Sequence, residues 1–376
     1  MPLDAVVLVG AGPRQLASIG LRQWWSQSQL SCSHKQSEGQ QALLRPMGRR
    51  SIGSCSQADH GRPPCRVPHC GTAAPLPAQI ALVAMSNPIS VIVNPSAGGG
   101  RASKVLVDIE RLLTQRGADF SITETRDLPH ARQLARDAAQ QGRTAAALGG
   151  DGLVGAVAAG CAESGGLLAV LPGGRGNDLA RVLGIPNDPA AAVAIALDGK
   201  AGHIDMGEGN GTPFCCIASC GYDSDANRIA NEAKVPGALS YLYAALRALI
   251  SWKQAHFKIE IDGDAIELNG FSVIVANSKA YGGGMFIAPD ADLQDGLLDV
   301  VTIEGNSRLR FLALLPLVFK GKHISTREVT VRRGATVRIE ADRPFTVYAD
   351  GDPLCDLPAV ITVRPDACRV MLPASA

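Results

Sequence analysis

Two acidic residues stand in glycine-rich surroundings where a strand should become a helix. Asp151 lies in "GGDG" (149–152), and Asp178 ends "PGGRGND" (172–178). Glycines at such turns let backbone N–H groups approach a phosphate closely, and the following helix N-terminus adds partial positive charge. A carboxylate repels a nearby phosphate unless a cation lies between them. The two segments therefore predict metal-assisted phosphoryl transfer with Mg²⁺.

Two further glycine clusters accompany this pair, "NPSAGGG" (94–100) and "YGGGM" (281–285). One glycine-rich turn alone is common and indicates little. Four such clusters together favour a nucleotide site in which main-chain amides hold phosphates. The chain contains no GxxxxGK[ST] segment, so the P-loop mechanism is excluded.

The elements that must position these clusters alternate regularly from residue 89 onward. Short, apolar, β-branched runs are each followed by a helix-period run, as in "ISVIVN" before "ASKVLVDIERLLTQRG". Four such units predict a parallel, doubly wound α/β domain with its ligand at the carboxyl ends of the strands. From about residue 206, closely spaced strands with Gly/Asp turns predict a mainly antiparallel β-sandwich domain.

The predicted organisation has three parts. Residues 1–85 have a Ser/Gln/Arg/Pro/Cys-rich composition that predicts a disordered or non-native extension. Residues 86–206 form the predicted nucleotide-binding domain, with 359–376 as a candidate completion, and residues 207–358 form the β-rich domain expected to take the acceptor substrate. With 36 basic and 35 acidic residues, the formal charge of +1 gives no indication of nucleic-acid binding. Cys215, Cys216 and Cys220 lie in an apolar segment and are predicted to be buried, reduced thiols.

Five segments, in order, resemble motifs of the diacylglycerol kinase catalytic-domain family, which includes bacterial soluble lipid kinases and the sphingosine and ceramide kinases. They are "VNPSAGGGRA", "GGDGLVGAVAAG", "LPGGRGNDLAR", "GGGMFIAPDADLQDGLLDV" and "DGDPL". The resemblance runs from about Ile89 to Val370. It implies a phosphofructokinase/NAD-kinase-like α/β domain followed by a β-sandwich, and an enzyme that uses ATP and Mg²⁺ to phosphorylate a lipid hydroxyl.

The resemblance also implies roles for individual residues. Asp151 would face Mg²⁺, and Asp352 would be the general base for the lipid hydroxyl. A structural Mg²⁺ would be held by Asp295 with main-chain oxygens near Asp292 and Leu297, and Asp299 would share that acidic network. The remaining implied residues hold or line the ATP site: Asn94, Thr125, Gly149, Gly150, Gly152, Arg175, Asn177 and Asp178.

Four residues depart from the family motifs. Leu153 replaces a threonine, Ala156 a glutamate, and Arg175 a threonine, while Asp352 is one methylene shorter than the family glutamate. Arg175 can contribute charge and donors to phosphates. Two rival interpretations remain open, an NAD kinase or phosphofructokinase-like small-molecule kinase and a noncatalytic nucleotide- and lipid-binding protein.

The segment "RLRFLALLPLVFKGKH" (308–323) is apolar with basic ends. It fits either a helix that lies on an anionic membrane surface or an ordinary helix packed on the second domain. The sequence predicts a cytoplasmic protein with peripheral contact to the inner face of the membrane and no nucleic-acid partner. It leaves open a homodimer and the identity of the lipid.

Overall fold

The computed structural model describes residues 87–232, 247–305 and 307–374. The predicted N-terminal extension, 1–85, lies outside the described residues. The described residues belong to one compact unit. Fifteen strands are hydrogen-bonded into one continuous sheet network, part parallel and part antiparallel.

The first half alternates strands and helices as predicted. Four strands run parallel in the order β2-β1-β3-β4, and every residue of β3 ("TAAALG") is buried because helices cover both faces. The elements are β1 (Ile89–Val93), α1 (Ala97–Gln115), β2 (Phe120–Glu124), α2 (Leu128–Gln140), β3 (Thr144–Gly149), α3 (Asp151–Ser164), β4 (Leu167–Pro172), α4 (Asp178–Val182) and α5 (Pro189–Asp198).

Local sequence explains where these helices begin and end. Asp127 accepts a hydrogen bond from the His130 N–H at 2.7 Å at the start of α2, and Asp188 caps α5 in the same way. Each cap is followed by a proline in the first turn, where no N–H is needed. Gly165, with φ of 66°, ends α3 in a left-handed conformation. Strand ends and helix starts therefore meet at one edge of the sheet.

The second half is rich in antiparallel strands, as predicted. Strand β8 alternates buried and more exposed residues, which is the pattern of a sheet with one covered face. The elements are β5 (Lys200–Gly209), β6 (Thr212–Phe214), β7 (Ile217–Gly221), α6 (Tyr222–Glu232), β8 (Ala255–Ile261), β9 (Asp264–Ala276), β10 (Leu298–Glu304), α7 (Arg308–Val318), a 3₁₀ helix (Lys322–Ser325), β11 (Val329–Gly334), β12 (Thr336–Ala341), β13 (Thr346–Ala349), β14 (Asp352–Asp356) and β15 (Ala359–Leu372).

The last strand joins the two halves. Strand β15 pairs in parallel with β4, through Arg369 opposite Leu167, and antiparallel with β5 and β12. The chain thus returns to the parallel sheet after completing the antiparallel region. The predicted domain boundary at residue 206 falls inside β5, and that division stays a prediction.

Buried side chains in the second half include the predicted thiols. Cys215, Cys216 and Cys220 are free and buried, as expected. Residues 247–251 are helical. Trp252 is buried there and stacks on Phe271 with ring centroids 6.0 Å apart.

Candidate active site

The glycine loops that follow β1, β3 and β4 meet at the carboxyl edge of the sheet. A Cβ atom on Gly174 would overlap the Cα atom of Gly150, and one on Gly98 would lie 2.9 Å from the Gly173 carbonyl oxygen. Backbone therefore packs directly against backbone, with no room for side chains between the loops. Because glycine lets main-chain N–H groups approach a ligand, this edge suits phosphates.

The first loop carries glycines for a second reason. Gly98, Gly99 and Gly100 have φ values of 62°, 72° and 88°, so regular helix in α1 begins only after them. Asn94 ends the strand before this loop, and its Oδ1 accepts a hydrogen bond from the Ser96 hydroxyl at 2.7 Å. The polar side chain is thereby fixed at the sheet edge.

Two more predicted nucleotide residues lie at this edge. The Thr125 N–H donates to the Val93 carbonyl oxygen at 2.8 Å, which ties the end of β2 to the end of β1. Arg175 is exposed, and its guanidinium lies 3.6 Å from the position a Cβ on Gly99 would take. The predicted residues of the first, second and third glycine clusters are thus adjacent in space.

Asp151 holds the neighbouring loop through hydrogen bonds. Its carboxylate accepts from the backbone N–H groups of Asn177 at 2.9 Å and Asp178 at 2.6 Å. Burial raises the pKa of Asp151 above its usual value, and the Asp178 carboxylate raises it further, while the two amides lower it. The Mg²⁺ role that the resemblance implies for Asp151 stays a prediction, whereas the structure shows that this carboxylate holds the loop.

Asn177 is a positioning residue for the same loop. It adopts a left-handed conformation with φ of 51°, and its Oδ1 accepts from the Gly174 N–H at 2.9 Å. Its Nδ2 donates to Asn187 Oδ1 at 2.9 Å. Asparagine tolerates this backbone conformation better than most residues, because its short side chain bonds locally. The buried Asn177 side chain therefore stabilises the conformation of this loop.

Asp178 brings the fourth glycine cluster to the site. Its Oδ2 accepts from the Gly283 N–H at 2.9 Å, although the two residues are far apart in the chain. A Cβ on Gly176 would lie 2.6 Å from Asp151 Oδ2 and 3.1 Å from Asp178 Oδ2. Two carboxylates thus flank one glycine, and the charge of Asp178 acts on Asp151. Two like charges that lie close together favour a bound cation.

Asp352 projects onto the start of α3 from the second half of the chain. One of its carboxylate oxygens lies 3.0 Å from the position of a Cβ on Gly152. The residue is partly exposed, and partial burial raises the pKa of its carboxyl above the usual value. Among the described residues, no hydrogen bond to this carboxylate is formed. The predicted base therefore lies beside the "GGDG" turn with its oxygens available.

Asp350 and Gly351 form the tight turn that delivers Asp352. Both have positive φ, 51° and 98°, as an Asp-Gly hairpin turn between β13 and β14 requires. The Asp350 carboxylate accepts from the backbone N–H groups of Cys215, Cys216 and Ile217 at 2.8, 3.0 and 3.1 Å. Burial raises the pKa of Asp350 to about 6, although these amides lower it. The hairpin is thus anchored to the strand region before β7.

A cavity of about 410 Å³ opens next to Asp352. It lies between the faces of α2 and α3 on one side and β6 and the β13–β14 hairpin on the other. Ala156, where the family motif has glutamate, contributes to its wall. The lining residues are Leu128, Pro129, Arg132, Arg136, Gly152, Gly155, Ala156, Ala159, Thr212, Pro213, Phe214, Ala349, Asp350, Asp352, Pro353 and Leu354.

The predicted structural metal turn is held by hydrogen bonds and an arginine. Asp295 Oδ1 accepts from the Leu297 N–H at 3.0 Å, and Asp292 Oδ1 from the Gln294 N–H at 3.1 Å. Arg333 bonds to the other Asp295 oxygen and lies 3.4 Å from Asp299.

Asp299 is buried in this turn. Burial raises the pKa of its carboxyl, and Arg333 partly offsets that rise. No group of three or more His, Cys, Asp or Glu side chains in the described ranges is arranged to hold a metal ion. The Mg²⁺ assignment for this turn stays a prediction.

Both halves match known protein families. The Diacylglycerol kinase catalytic domain matches residues 88–208, and the YegS C-terminal NAD kinase beta sandwich-like domain matches 216–372. A diacylglycerol kinase of Mycobacterium tuberculosis (strain CDC 1551 / Oshkosh) is 36% identical over 294 residues, which cover 76% of this chain and 95% of that protein. The chain belongs to the diacylglycerol kinase family.

Other relatives in the diacylglycerol kinase family agree. A Pseudomonas aeruginosa PAO1 protein named "Probable lipid kinase YegS-like" is 32% identical, over 76% of this chain and 94% of its own length. The crystal structure of a diacylglycerol kinase from Bacillus anthracis str. Sterne has a TM-score of 0.60 over 76% of this chain and 97% of that chain, at 22% identity, and shows the shared fold. The protein is a lipid kinase, and family membership implies ATP use.

Sequence reasoning missed two structural carboxylates of this diacylglycerol kinase family member. The buried Asp205 accepts from the backbone N–H groups of Gly296 at 2.8 Å and Asp366 at 2.7 Å, so it holds the turn that contains Asp295. Asp350 is the second of these structural carboxylates, and the sequence contains its Asp-Gly turn signal. Their amide partners are 91 to 161 residues away in the chain, and no local pattern reveals them.

Leu153, the first departure from the family motif, has a packing explanation. It is buried in the core, and a Cβ on Gly149 would lie 2.6 Å from its Cδ2. The side chain therefore covers the strand end beneath the glycine turn. This contact accounts for a large apolar residue where the family motif has threonine.

Proposed function

We propose that this lipid kinase uses ATP and Mg²⁺ to transfer the γ-phosphoryl group to a hydroxyl of a diacylglycerol-like lipid. The observation that carries the proposal is the position of Asp352, whose carboxylate lies against Gly152 at the first turn of α3. A candidate base and a phosphate-binding turn that are this close can serve one acceptor oxygen and one phosphoryl group.

The glycine loops fit the phosphates of a nucleotide. The main-chain amides around Gly149–Gly152 can donate to phosphate oxygens, and Arg175 can add a charged donor at the same edge. Asn94 and Thr125 lie at the ends of the adjoining strands, where the rest of the nucleotide would rest. The N-terminus of α3 stabilises negative charge that develops on the transferred group.

Asp151 and Asp178 fit a divalent cation. They converge on Gly176, and the pKa of Asp151 is raised in part by its neighbour, so a cation would relieve their repulsion. Carboxylate oxygens are ligands that Mg²⁺ prefers. When bound, Mg²⁺ would supply neutralisation of phosphate charge. Asp151 would keep its loop-holding role at the same time, because a carboxylate offers more than two acceptor positions.

Asp352 would accept the proton of the lipid hydroxyl. Its oxygens accept no hydrogen bond within the described residues, whereas the Asp350 oxygens are occupied by three amides. Partial burial raises the pKa of Asp352, which makes the carboxylate a stronger base than an exposed aspartate. Its hairpin turn, anchored by Asp350, fixes its position relative to α3.

The decisive test is Asp352→Asn. The variant keeps shape and size but loses the base, so ATP-dependent phosphorylation of diacylglycerol should fall by about 100-fold or more. Unchanged thermal unfolding would show that the fold is intact. A variant that retains more than about a tenth of the activity would refute the base role.

The same assay separates the rival functions. NAD and sugar phosphates, offered beside diacylglycerol, would be phosphorylated by a small-molecule kinase. Thermal stabilisation by MgATP with no turnover on any acceptor would indicate a noncatalytic binding protein. Either outcome would overturn the proposed reaction on a diacylglycerol-like lipid, whereas turnover on the lipid alone would support it.

We also propose that α7 contacts an anionic membrane surface. No described helix is long and apolar enough to cross a bilayer. Phe311, Leu314 and Val318 pack into the core, as in an ordinary helix, but Leu309 is 81% exposed and Phe319 is 56% exposed. Basic residues bracket the helix: Arg308, Arg310, Lys320 and Lys322. Exposed apolar side chains framed by positive charge suit an interface with anionic lipid.

Liposome co-sedimentation tests this contact. Leu309→Ser together with Phe319→Ser should reduce binding to vesicles that contain phosphatidylglycerol, as should charge reversal at the four basic residues. Val107→Ser is the matched control, because Val107 is 68% exposed on α1. Unchanged vesicle binding by both sets of variants would remove the membrane proposal. The homodimer predicted as an option from the sequence stays open.

A further inference from the structure

Arg181 lies on α4, between the third glycine loop and the second half of the chain. Its Nη2 donates to the Gly176 carbonyl oxygen at 3.1 Å, and its Nε lies 3.8 Å from Asp178 Oδ1. The side chain is 41% exposed, so it remains accessible from solvent. An accessible cation therefore lies beside the loop that carries Asp178.

The fourth glycine cluster fixes the orientation of the Arg181 guanidinium group. A Cβ atom on Gly284 would lie 3.3 Å from Arg181 Cζ, 3.4 Å from Nη1 and 3.6 Å from Nε. Because three atoms of a planar group are almost equally close to one point, the guanidinium faces the glycine with its flat side. Gly284 also has φ of 104°, where a side chain would be strained. The glycine therefore leaves space for the arginine.

Several donors of this guanidinium group are unused within the described residues. The one hydrogen bond that Arg181 donates to a described residue goes to Gly176. The 3.8 Å separation from Asp178 is too long for a hydrogen bond. A guanidinium has further N–H groups in a fixed planar arrangement. Its positive charge and unused donors fit the oxygens of a phosphate group.

Two arginines lie on different sides of the glycine loops. Arg175 lies near Gly99 of the first loop, on the side where the predicted nucleotide residue Asn94 lies. Arg181 lies against the fourth cluster, which belongs to the second half of the chain. In phosphoryl transfer, the terminal phosphate of ATP lies between the nucleotide and the acceptor. The position of Arg181 therefore suits the terminal phosphate better than the nucleoside.

We propose that Arg181 is a catalytic residue that donates to the γ-phosphate oxygens of bound ATP and of the group in transfer. The inference rests on the proposed lipid-kinase function and adds a residue to it. In that reaction, the bond between the γ-phosphorus and the oxygen that stays on ADP breaks, and ADP keeps the electron pair. A bond from phosphorus to the acceptor oxygen forms, and the hydroxyl proton passes to Asp352. Arg181 stabilises negative charge on the transferred group.

The first test measures lipid phosphorylation with saturating ATP and diacylglycerol. Arg181→Gln should lower kcat by about 10- to 100-fold, the effect of one charge-assisted hydrogen bond. Millimolar guanidinium chloride should restore part of the turnover of Arg181→Ala, because the free cation can take the place of the missing side chain. Sodium chloride at the same ionic strength should restore none of it.

Nucleotide binding distinguishes a contact with the terminal phosphate from a role in loop structure. MgADP lacks that phosphate, so it should raise the melting temperature of Arg181→Gln as much as that of the parent. MgATP should raise the melting temperature of the variant less than that of the parent, because ligand stabilisation follows affinity.

Arg116→Gln is the matched control. Arg116 pairs with Asp198 at 2.9 Å, and both side chains are exposed. It follows the last residue of α1, whose first turn contains the first glycine loop, so it lies about 20 Å from that loop. Its replacement should leave turnover and both nucleotide-induced shifts in melting temperature unchanged.

Two results would overturn the inference. If Arg181→Gln loses stabilisation by MgADP and MgATP equally, and guanidinium does not restore Arg181→Ala, the arginine only holds the loops together. If Arg181→Gln phosphorylates diacylglycerol as fast as the parent, Arg181 does not contact the reacting group. In both cases the parent is active and only this inference fails, whereas a parent that phosphorylates no lipid overturns the proposed function too.

Discussion

Two acidic regions of the chain satisfy their carboxylates in different ways. At the glycine loops, Asp151 and Asp178 accept hydrogen bonds from main-chain amides and flank Gly176. In the turn after Ala291, Asp295 and Asp299 both contact Arg333. Arg333, on β11, therefore supplies this turn with a cation. At the loops, the side-chain cation close to the pair in the described residues is Arg181, 3.8 Å from Asp178.

This difference in partners indicates that the glycine-loop pair would gain more from a cation supplied by solution than the acidic turn would. Amide donors stabilise a carboxylate but leave its full negative charge in place. Arg181 lies near Asp178 alone, so Asp151 and Asp178 still repel each other. In the turn, one guanidinium already neutralises part of the charge. An acidic residue in a sequence motif thus predicts a metal ligand best where no basic side chain from another element approaches it.

The largest expected effect is a difference in lipid phosphorylation between variants of the two acidic regions. Asp151→Asn should lower turnover by on the order of 100-fold, because it removes one negative charge where the proposed cation and phosphates would meet. Asp295→Asn should leave turnover within about threefold of the parent and mainly lower the melting temperature, because its contacts are structural. Lipid phosphorylation assays measure the turnover of both variants, and thermal unfolding measures their melting temperatures.

A second readout guards against a folding artefact in that comparison. MgATP should raise the melting temperature of the parent and of Asp295→Asn, and should raise that of Asp151→Asn less, since ligand stabilisation scales with affinity. The distinction between the two regions would be refuted if both variants lost turnover to a similar extent and neither was stabilised by MgATP. Both regions would then contribute to one functional site.

The sequence could predict the fold class and the glycine loops because both follow from local patterns. Apolar, β-branched runs indicated the four parallel strands, and closely spaced strand-like segments with Gly/Asp turns indicated most of the antiparallel ones. Parallel strands present their carboxyl ends at one edge, so the clusters near Gly98, Gly150 and Gly174 had to meet there. The Asp-Gly pair at 350–351 is a local hairpin signal of the same kind.

What could not be predicted depends on contacts between distant residues. The sequence suggested that Asp151 faces a metal but gave no sign that it also binds the amides of Asn177 and Asp178. Arg333 lies on β11 and Asp295 in the turn before β10, so the sequence did not predict their ion pair. The ion pair between Arg132 and Glu163 depends on how α2 packs against α3. Side-chain partners of this kind follow from the register of packed elements, which a single sequence does not specify.

A smaller effect concerns the cation in the acidic turn. Arg333→Gln should lower stability by about 1–2 kcal/mol, or a few °C, since Asp299 is buried while the arginine is partly exposed and its pairing is screened. Millimolar Mg²⁺ should restore part of the melting temperature if the turn binds the ion that the family resemblance implies, and EDTA should abolish that recovery.

The matched control for this variant is Arg338→Gln. Arg338 pairs with the exposed Glu340 at 2.8 Å on β12, so its loss should change stability by no more than about 0.5 kcal/mol. A melting temperature of Arg333→Gln that does not respond to Mg²⁺ would show that Arg333 is the only cation this turn accommodates.

The smallest expected effect is on the stability of glycine variants. It shows whether backbone conformation or lack of space requires glycine in each region. Gly296 in the acidic turn has φ of 69°, yet a Cβ there would be 3.8 Å from Pro365, so space is available and only the backbone conformation is costly. Gly296→Ala should therefore cost about 1 kcal/mol, and Gly296→Asn less, because asparagine tolerates the left-handed region. At Gly174 a Cβ would overlap Gly150, so Asn should be no better than Ala. Urea unfolding of the four variants measures this, and equal losses for Ala and Asn at position 296 would mean that crowding governs both regions.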